Sequence, residues 1–312
     1  EHANFVHELV KAEASKGWLE VCKERPSGSF RTSPIFVIPK RTAGRPNGKW
    51  RFIHHLSWAP PGAKSVNECC PMDTAIEYED VNHAGRSIME MQLEHGKDAI
   101  RLYKVDLDAA YKLWPFAEEH RRRMGFRWLD PDKPVPEYVR NGEEPREEDL
   151  VWCFTNRLPF GWTQSVCHFH RVSRALKTLH LSECTPGIAT QVPRHVHGSS
   201  VYVDDTLGYA LTEWAEKSKR RLFEVCERYR IPISMKKELA EGAIEATKEF
   251  LGILLDVVNQ EKRMSPERME AGLERLRELD GKKYVSRREL QSLVGVLSFA
   301  ASCSPHARVF LR

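Results

Sequence analysis

The sequence contains no run of 18 apolar residues, which excludes a bilayer-spanning helix. Its eight cysteines form no CxxC pair. Only Cys69 and Cys70 are close, and adjacent cysteines seldom bridge or share a zinc ion. Reduced thiols are therefore expected, in an intracellular (nuclear or cytoplasmic) protein that is not secreted. Glycine-rich phosphate loops and HExxH are absent, so neither supplies a chemistry. Internal repeats and low-complexity tracts are missing too, which removes solenoids and flexible linkers. The chain opens on Glu1 rather than Met and ends on Arg312 in a helix-like run. It is expected to be a fragment of something longer, so a missing targeting signal carries no information.

What is present is a chain of 312 residues, 41% hydrophobic and 29% charged. That is enough to bury a substantial core in a soluble protein of two subdomains or one composite unit. The net charge of +4 is small, but basic residues cluster in "HRRRMGFR" (120–127), "KSKRRL" (217–222) and "MKKE" (235–238). Such runs suit an anionic partner or are simply solvated faces.

Residues 3–23 read as an amphipathic helix or two, broken near Gly17. "SPIFVIPK" (33–40) and "KWRFIHHLS" (49–57) read as short strands around a Gly/Pro/Asn turn. Helical patterns cover 86–96, 163–180 and 213–230, and strands are expected at 100–111, 150–156, 201–210 and 249–258. Two long loops, 130–149 and 182–199, are expected, the first charged, proline-rich and exposed. Ser265 and Pro266 fit a helix start with Pro in the first turn, and Ser286 with Glu289 forms a capping box. Strands and helices mix without a βαβ rhythm, which predicts an α+β fold.

Chemistry concentrates in three carboxylates. In "SSVYVDDTLGYA" (199–210), Asp204 and Asp205 separate two apolar runs. This is either an ordinary hairpin turn, where Asp is favoured, or a metal site. In "YKVDLDAAY" (103–111), Asp106 lies between Val105 and Leu107 and so points to the face opposite theirs. Asp108 shares that face, as an alternate ligand or a helix cap. If the two strand ends lie side by side, three carboxylates converge and require divalent cations, and hard oxygen ligands suit Mg²⁺. Two such ions can activate a 3′-hydroxyl and stabilise a leaving pyrophosphate, which is nucleotidyl transfer.

"YVDD" with the upstream "VDLDAAY" resembles motifs C and A of reverse transcriptases. Further blocks follow in order: "SPIFVIPK…GKWRFIHHLS" is similar to the fingers strands, "LPFGWTQSVCHF" to motif B, "ISMKKE" to motif D and "FLGILLD" to motif E. The resemblance spans roughly residues 33–256. "RFIHHLSWAPPGAKSVNE" and "LQSLVGVLSFAASCSPHARVFLR" look most like DIRS-like retrotransposons, which pair this enzyme with a tyrosine recombinase. The resemblance implies a right-hand polymerase with fingers at 1–75 and 115–157, palm at 76–114 and 158–256, and the start of a helical thumb at 257–312.

By position, Asp106, Asp204 and Asp205 would be catalytic and would hold two Mg²⁺ ions, or Mn²⁺ in their place, with the Leu107 carbonyl as an added ligand. Tyr111 would be the steric gate against a ribose 2′-hydroxyl, or else a core tyrosine. Lys40 and Arg51 would grip the triphosphate, Gly161 would let backbone approach the nucleotide, and Gln164 would touch nucleotide or template. Lys237, preferred over Lys236, would protonate pyrophosphate. Tyr202 and Trp162 would pack on primer or template, or belong to the core. The implied partners are an RNA template, a DNA primer and product, and dNTPs. A separate tyrosine recombinase would accompany them, with no membrane. A fused ribonuclease H domain often follows in this family, but no acidic cluster for it occurs here, so it is expected either beyond Arg312 or not at all.

The chain departs from the pattern at Ser165-Val166, where motif B usually has a small residue and proline. It also departs at His54 and His55, where many relatives carry Asp and Arg. His168, His170, His195 and His197 have the wrong spacing for the usual zinc sites. The alternative functions are a domesticated, non-catalytic nucleic-acid-binding protein and an RNA-synthesising polymerase with a similar palm. The intact carboxylates argue against the first and Tyr111 against the second.

Overall fold

The computed structural model describes residues 2–42, 45–70, 76–108, 110–115, 117–304 and 306. The chain begins with α1 (Ala3–Ser15), β1 (Leu19–Cys22), the paired strands β2 (Ile35–Thr42) and β3 (Arg45–His54), and α2 (Val66–Cys69). It continues through α3 (Val81–His95), β4 (Ile100–Asp106), a 3₁₀ turn (Ala110–Leu113), α4 (Glu118–Arg121), β5 (Gly125–Leu129) and α5 (Glu137–Arg140). Next come β6 (Leu150–Thr155), α6 (Thr163–Leu181), β7 (His197–Tyr202), β8 (Asp205–Leu211), α7 (Ala215–Arg228) and α8 (Met235–Glu241). The last elements are β9 (Thr247–Phe250), β10 (Ile253–Asp256), β11 (Glu261–Met264), α9 (Pro266–Leu279) and α10 (Arg287–Ala300). The sheets have the orders β1-β6-β5, β2-β3, β4-β8-β7 and β11-β10-β9, an α+β arrangement. Two compact units result: residues 1–40, 47–77 and 109–172, and residues 41–46, 78–108 and 173–312.

In the first unit, Val6 and Val10, one helical turn apart on α1, bury against Leu19, Phe126, Val151 and Cys153. The helix stops before Gly17, whose φ of +66° is costly for any other residue. Beyond it the expectation of a second helix fails. Leu19–Cys22 pair with β6, Leu19 opposite Thr155 and Cys22 opposite Trp152, and these ladder bonds override local propensity. The strand β5 was hidden inside a basic run. Its Arg127 lies over the Trp152 ring and donates to Glu147 at 2.6 Å, so it serves the fold. The 130–149 segment is not wholly exposed either. It folds α5 back so that Val135 and Val139 bury against Leu129.

Gly161 shows why a glycine is needed in the loop before α6. Its φ is +114°, and a Cβ there would stand 1.9 Å from the His54 carbonyl oxygen. The amide of His54 donates to the Phe160 carbonyl at 2.9 Å, so this loop and β3 meet backbone to backbone. The His54 ring, fully buried, donates to the Gly125 carbonyl at 2.7 Å. Burial pushes its pKa down to about 4.

In the second unit β8 is central. Ile100, Leu102, Leu207, Tyr209 and Leu211 bury with Val81, Ala84 and Ile88 of α3 and with Phe250, Ile253 and Leu255. The single strand expected at 249–258 is a hairpin instead. Leu251 and Gly252 have φ of +53° and +83°, the two left-handed residues of a tight β-turn. An unbroken apolar run concealed that turn, and Gly252 was its only mark. β11 completes this sheet and was not anticipated. The Ser286–Glu289 capping box is formed, whereas Ser265 makes no side-chain cap and only Pro266 occupies the expected first turn. The helix-like run to Arg312 lies largely outside the described residues.

Elsewhere in this unit the buried Tyr103 ring lies over its cross-strand partner Gly208, where a Cβ would come within 2.1 Å. Its hydroxyl meets Ser218 Oγ at 2.7 Å, and His197 Nδ1 meets the same oxygen at 2.8 Å. His180 Nε2 donates to the Ser218 carbonyl at 3.1 Å. Burial, with the neighbouring His197 next in weight, lowers the His180 pKa to about 3, and burial lowers that of His197 to about 4. Arg221, expected on a basic face, is fully buried. It donates to the carbonyls of His180 at 2.8 Å, Thr190 at 2.5 Å and Ser182, and so fastens the 182–196 segment to α7.

Two predictions follow from this packing. The depressed histidines are neutral in the fold, so below about pH 6.5 the unfolded chain takes up protons first. Stability should be complete above that pH and fall as pH drops towards 4, by about 1.4 kcal/mol per pH unit for each histidine. Urea midpoints measured from pH 7.5 to 5 will show the decline, and a flat profile would mean that these imidazoles titrate normally. Gly161→Ala, with its Cβ against backbone and a left-handed φ, should cost about 3 kcal/mol or more. Thermal denaturation of the folded variant is the check.

Candidate functional site

The site is built on the end of the β4-β8-β7 sheet. The antiparallel register sets Asp106, the last residue of β4, opposite Asp205, the first of β8, and Tyr202 faces Asp205 from β7. The turn therefore consists of Val203 and Asp204, and Asp205 belongs to a strand. Val203 has φ +56°, an outlier for a β-branched residue. Its carbonyl accepts a hydrogen bond from the Ser173 hydroxyl of α6, a contact that helps hold the strained turn.

Asp106 is only 5% exposed. Asp204 keeps accessible surface at the turn, yet loss of hydration and the nearby Asp205 charge raise its carboxyl above the ordinary range. Two ammonium groups answer this concentration of negative charge. Lys237 Nζ donates to Asp106 Oδ1 at 2.6 Å. Lys104 Nζ lies 3.3 Å from Asp205, 3.9 Å from Asp106 and 3.6 Å from Glu241. Burial works against the charged form of Lys104, but the three carboxylates more than offset it and raise its pKa. For Lys237 too, burial opposes and Asp106 reverses the shift, so its pKa is raised.

Among the described residues no three His, Cys, Asp or Glu donors are drawn together as around a bound ion. Cations stand among the carboxylates instead, and they mark where positive charge is held. The donor set itself suits Mg²⁺ or Mn²⁺, being hard carboxylate oxygens with no competing sulfur or imidazole among them. Leu107 faces Ile233 in a bridge whose two bonds run from Asp108 N to Pro232 O and from Ser234 N to Asp106 O. Neither of those two bonds uses the Leu107 carbonyl. Asp108 is exposed and its backbone is held by Pro232, so it stands apart in character from the buried Asp106.

The first unit gathers a second set. Lys40 and Arg51 line a cavity of about 300 Å³ with Trp50 and Phe160. The Arg51 guanidinium lies 5.2 Å from the Phe160 ring centre, and Tyr111 meets the same ring edge-on at 4.9 Å. Tyr111 also packs edge-on against Phe169. Gln164 is buried and donates to the Cys70 carbonyl at 3.4 Å. Trp162 packs against the Leu56–Val66–Met124–Leu158 cluster and stacks on His168. A larger cavity of about 1140 Å³ is lined by Arg25, Phe30, Arg31, Trp58, Arg123 and Trp162, among others.

Tyr202 is half-buried, packs against the second unit's core and lies 4.7 Å from the Tyr78 ring. His170 Nε2 bonds the Glu77 carbonyl and His197 Nδ1 bonds Ser218, so one ring nitrogen of each is engaged by the protein. Sequence reasoning missed Lys104, Glu241 and Phe160. Lys104 was within reach, since it sits two residues before Asp106 and therefore on the same strand face. Phe160 lay inside the quoted "LPFGWTQ" block.

No protein-family model and no curated protein matches the chain. Solved structures do. A foamy viral protease-reverse transcriptase in complex with double-stranded DNA is similar at 18% identity and a TM-score of 0.60, over 95% of this chain and 39% of that one. The foamy viral protease-reverse transcriptase bound to an RNA/DNA hybrid is similar at 17% identity and a TM-score of 0.60, over 96% and 31%. A further double-stranded DNA complex shows 18% identity and a TM-score of 0.58, over 95% and 47%. The chain thus spans less than half the length of these proteins. At such identities the likeness is one of fold, and the fold of this chain is the α+β right-hand polymerase fold seen in those reverse transcriptases.

Proposed function

We propose that this chain is an RNA-directed DNA polymerase that extends a DNA primer with dNTPs. The observation that carries the reading is the pairing of Asp106 with Asp205 beside Asp204, on a sheet of the polymerase fold. Binding alone needs no such concentration of carboxylates, which costs stability unless cations answer it. Asp106, Asp204, Asp205 and the Leu107 carbonyl would hold two Mg²⁺ ions, with Mn²⁺ as a substitute. When bound, such ions activate the primer 3′-hydroxyl and neutralise charge on the leaving pyrophosphate.

The chain's own residues supply the rest. Lys237, bonded to Asp106 at 2.6 Å, would act as a proton donor towards pyrophosphate. Arg51 and Lys40 grip the triphosphate, the first through a planar fork of donors. Tyr111, held edge-on by Phe160 and Phe169, presents a fixed ring that excludes a 2′-hydroxyl. Gly161 and Gln164 shape the nucleotide pocket, although the His54 carbonyl already accounts for the glycine. The cavity lined by three arginines, two tryptophans and Phe30 combines cations with stacking rings and suits a single-stranded template. Trp162 is part of it, and Tyr202 would meet the primer.

Fingers at 1–75 and 115–157, palm at 76–114 and 158–256 and thumb from 257 onward are the division that fits these roles. The blocks at 51–68 and 290–312 support a retrotransposon origin of the DIRS-like kind. That origin would bring a separate tyrosine recombinase of the same element as a partner. Eight free cysteines support an intracellular setting, and no described helix is long and apolar enough to cross a membrane.

Asp204→Asn should lower primer extension with Mg²⁺ and dNTPs by at least about 100-fold. Unaltered extension would remove the assignment, and RNA affinity without incorporation by the unmutated chain would favour a binding protein instead. Tyr111→Ala should raise rNTP incorporation about 10- to 100-fold relative to dNTPs, read from single-nucleotide extension with each substrate.

A further inference from the structure

We propose that Lys104 is a built-in counter-ion of the carboxylate site, one that stays in place when divalent ions bind and so sets how tightly they bind. The inference rests on the reading that Asp106, Asp204 and Asp205 bind divalent cations. Lys104 Nζ lies within 3.3 Å of Asp205, 3.6 Å of Glu241 and 3.9 Å of Asp106. No other described lysine or arginine is ion-paired to both Asp106 and Asp205.

The two lysines of the site differ in a way that assigns them different parts. The Lys237 side chain is 53% exposed and ion-paired only with Asp106, so it can withdraw into solvent when a cation arrives. The Lys104 side chain is 14% exposed. It projects from the middle of β4, where Lys104 is register-paired with Leu207 of the central strand β8. Withdrawal would break three ion pairs at once, against the single one that holds Lys237. Its charge therefore remains beside Asp205 whatever else is bound, repelling a divalent ion while preventing the carboxylates from repelling one another when none is present. Glu241 faces the ammonium from α8 and tempers it.

The consequence is a site that folds without metal and releases metal readily. Lys104→Met should bind Mn²⁺ about tenfold more tightly than the unmutated protein, followed by the EPR signal of free Mn²⁺ without nucleotide or nucleic acid. Its melting temperature without metal should fall, and the rise on adding Mn²⁺ should exceed that of the unmutated protein. Lys104→Arg, which keeps the charge, should bind Mn²⁺ like the unmutated protein. A merely structural lysine would lower the melting temperature without tightening the ion, and that result would overturn the proposal.

Should Lys104→Met fail to fold, Glu241→Gln at its exposed position decides. Stripped of the carboxylate that tempers it, Lys104 should weaken Mn²⁺ binding about threefold, and unaltered binding would count against the proposal. Asp204→Asn separates the two layers. If the unmutated protein binds Mn²⁺ and Asp204→Asn does not, an unchanged affinity in Lys104→Met sinks only the counter-ion. If the unmutated protein binds no Mn²⁺, the metal reading fails and takes the counter-ion with it.

Discussion

Everything at the candidate site depends on one ladder, the antiparallel pairing of β4 with β8. Because side chains alternate along a strand, a shift of one residue would turn Asp106 away from Asp205 and put Lys104 on the wrong face. The register is secured by apolar contacts along the two strands. Ile100 and Leu102 of β4 bury with Leu207 and Leu211 of β8, and Tyr103 fits over Gly208. Apolar packing and a glycine-for-aromatic fit thus hold together an arrangement that electrostatics alone would disperse.

The strain that the site stores is likewise carried by its surroundings. A valine in left-handed geometry and a carboxyl with raised pKa both sit in the two-residue turn at 203–204. Ser173 from α6 bonds the turn, and Lys237 of α8 acts against the Asp204 charge. Such local cost, supported by neighbouring elements, is typical of positions retained for chemistry. The first unit shows the same economy in another form. His54 is buried and donates to the Gly125 carbonyl. There the Gly161 loop rests on the β3 backbone, and beside it Phe160 meets both Arg51 and Tyr111.

Much of the site was legible in the chain because its signals are local. Asp106 between two apolar residues, the carboxylate pair between two apolar runs, and the alternation on either side are all period-two patterns. The same holds for α10, announced by Ser286 and Glu289, and for α6. Basic residues were the opposite case. Arg221 and Arg127 come from charged-looking stretches and Lys104 from an alternating strand, yet each is engaged by partners distant in sequence: carbonyls at 180–190, Glu147 with Trp152, and Asp205 with Glu241. Composition cannot separate a solvated cation from one spent on the interior.

Short-range preference alone was enough to place the helices with caps and to mark the carboxylates as a group, since those depend on neighbours one to four residues apart. The strands β1, β5 and β11, the hairpin inside 249–258 and the partners of the buried cations required the fold. A strand becomes a strand only when a second chain segment offers its hydrogen bonds, and a buried charge is tolerated only where distant groups surround it.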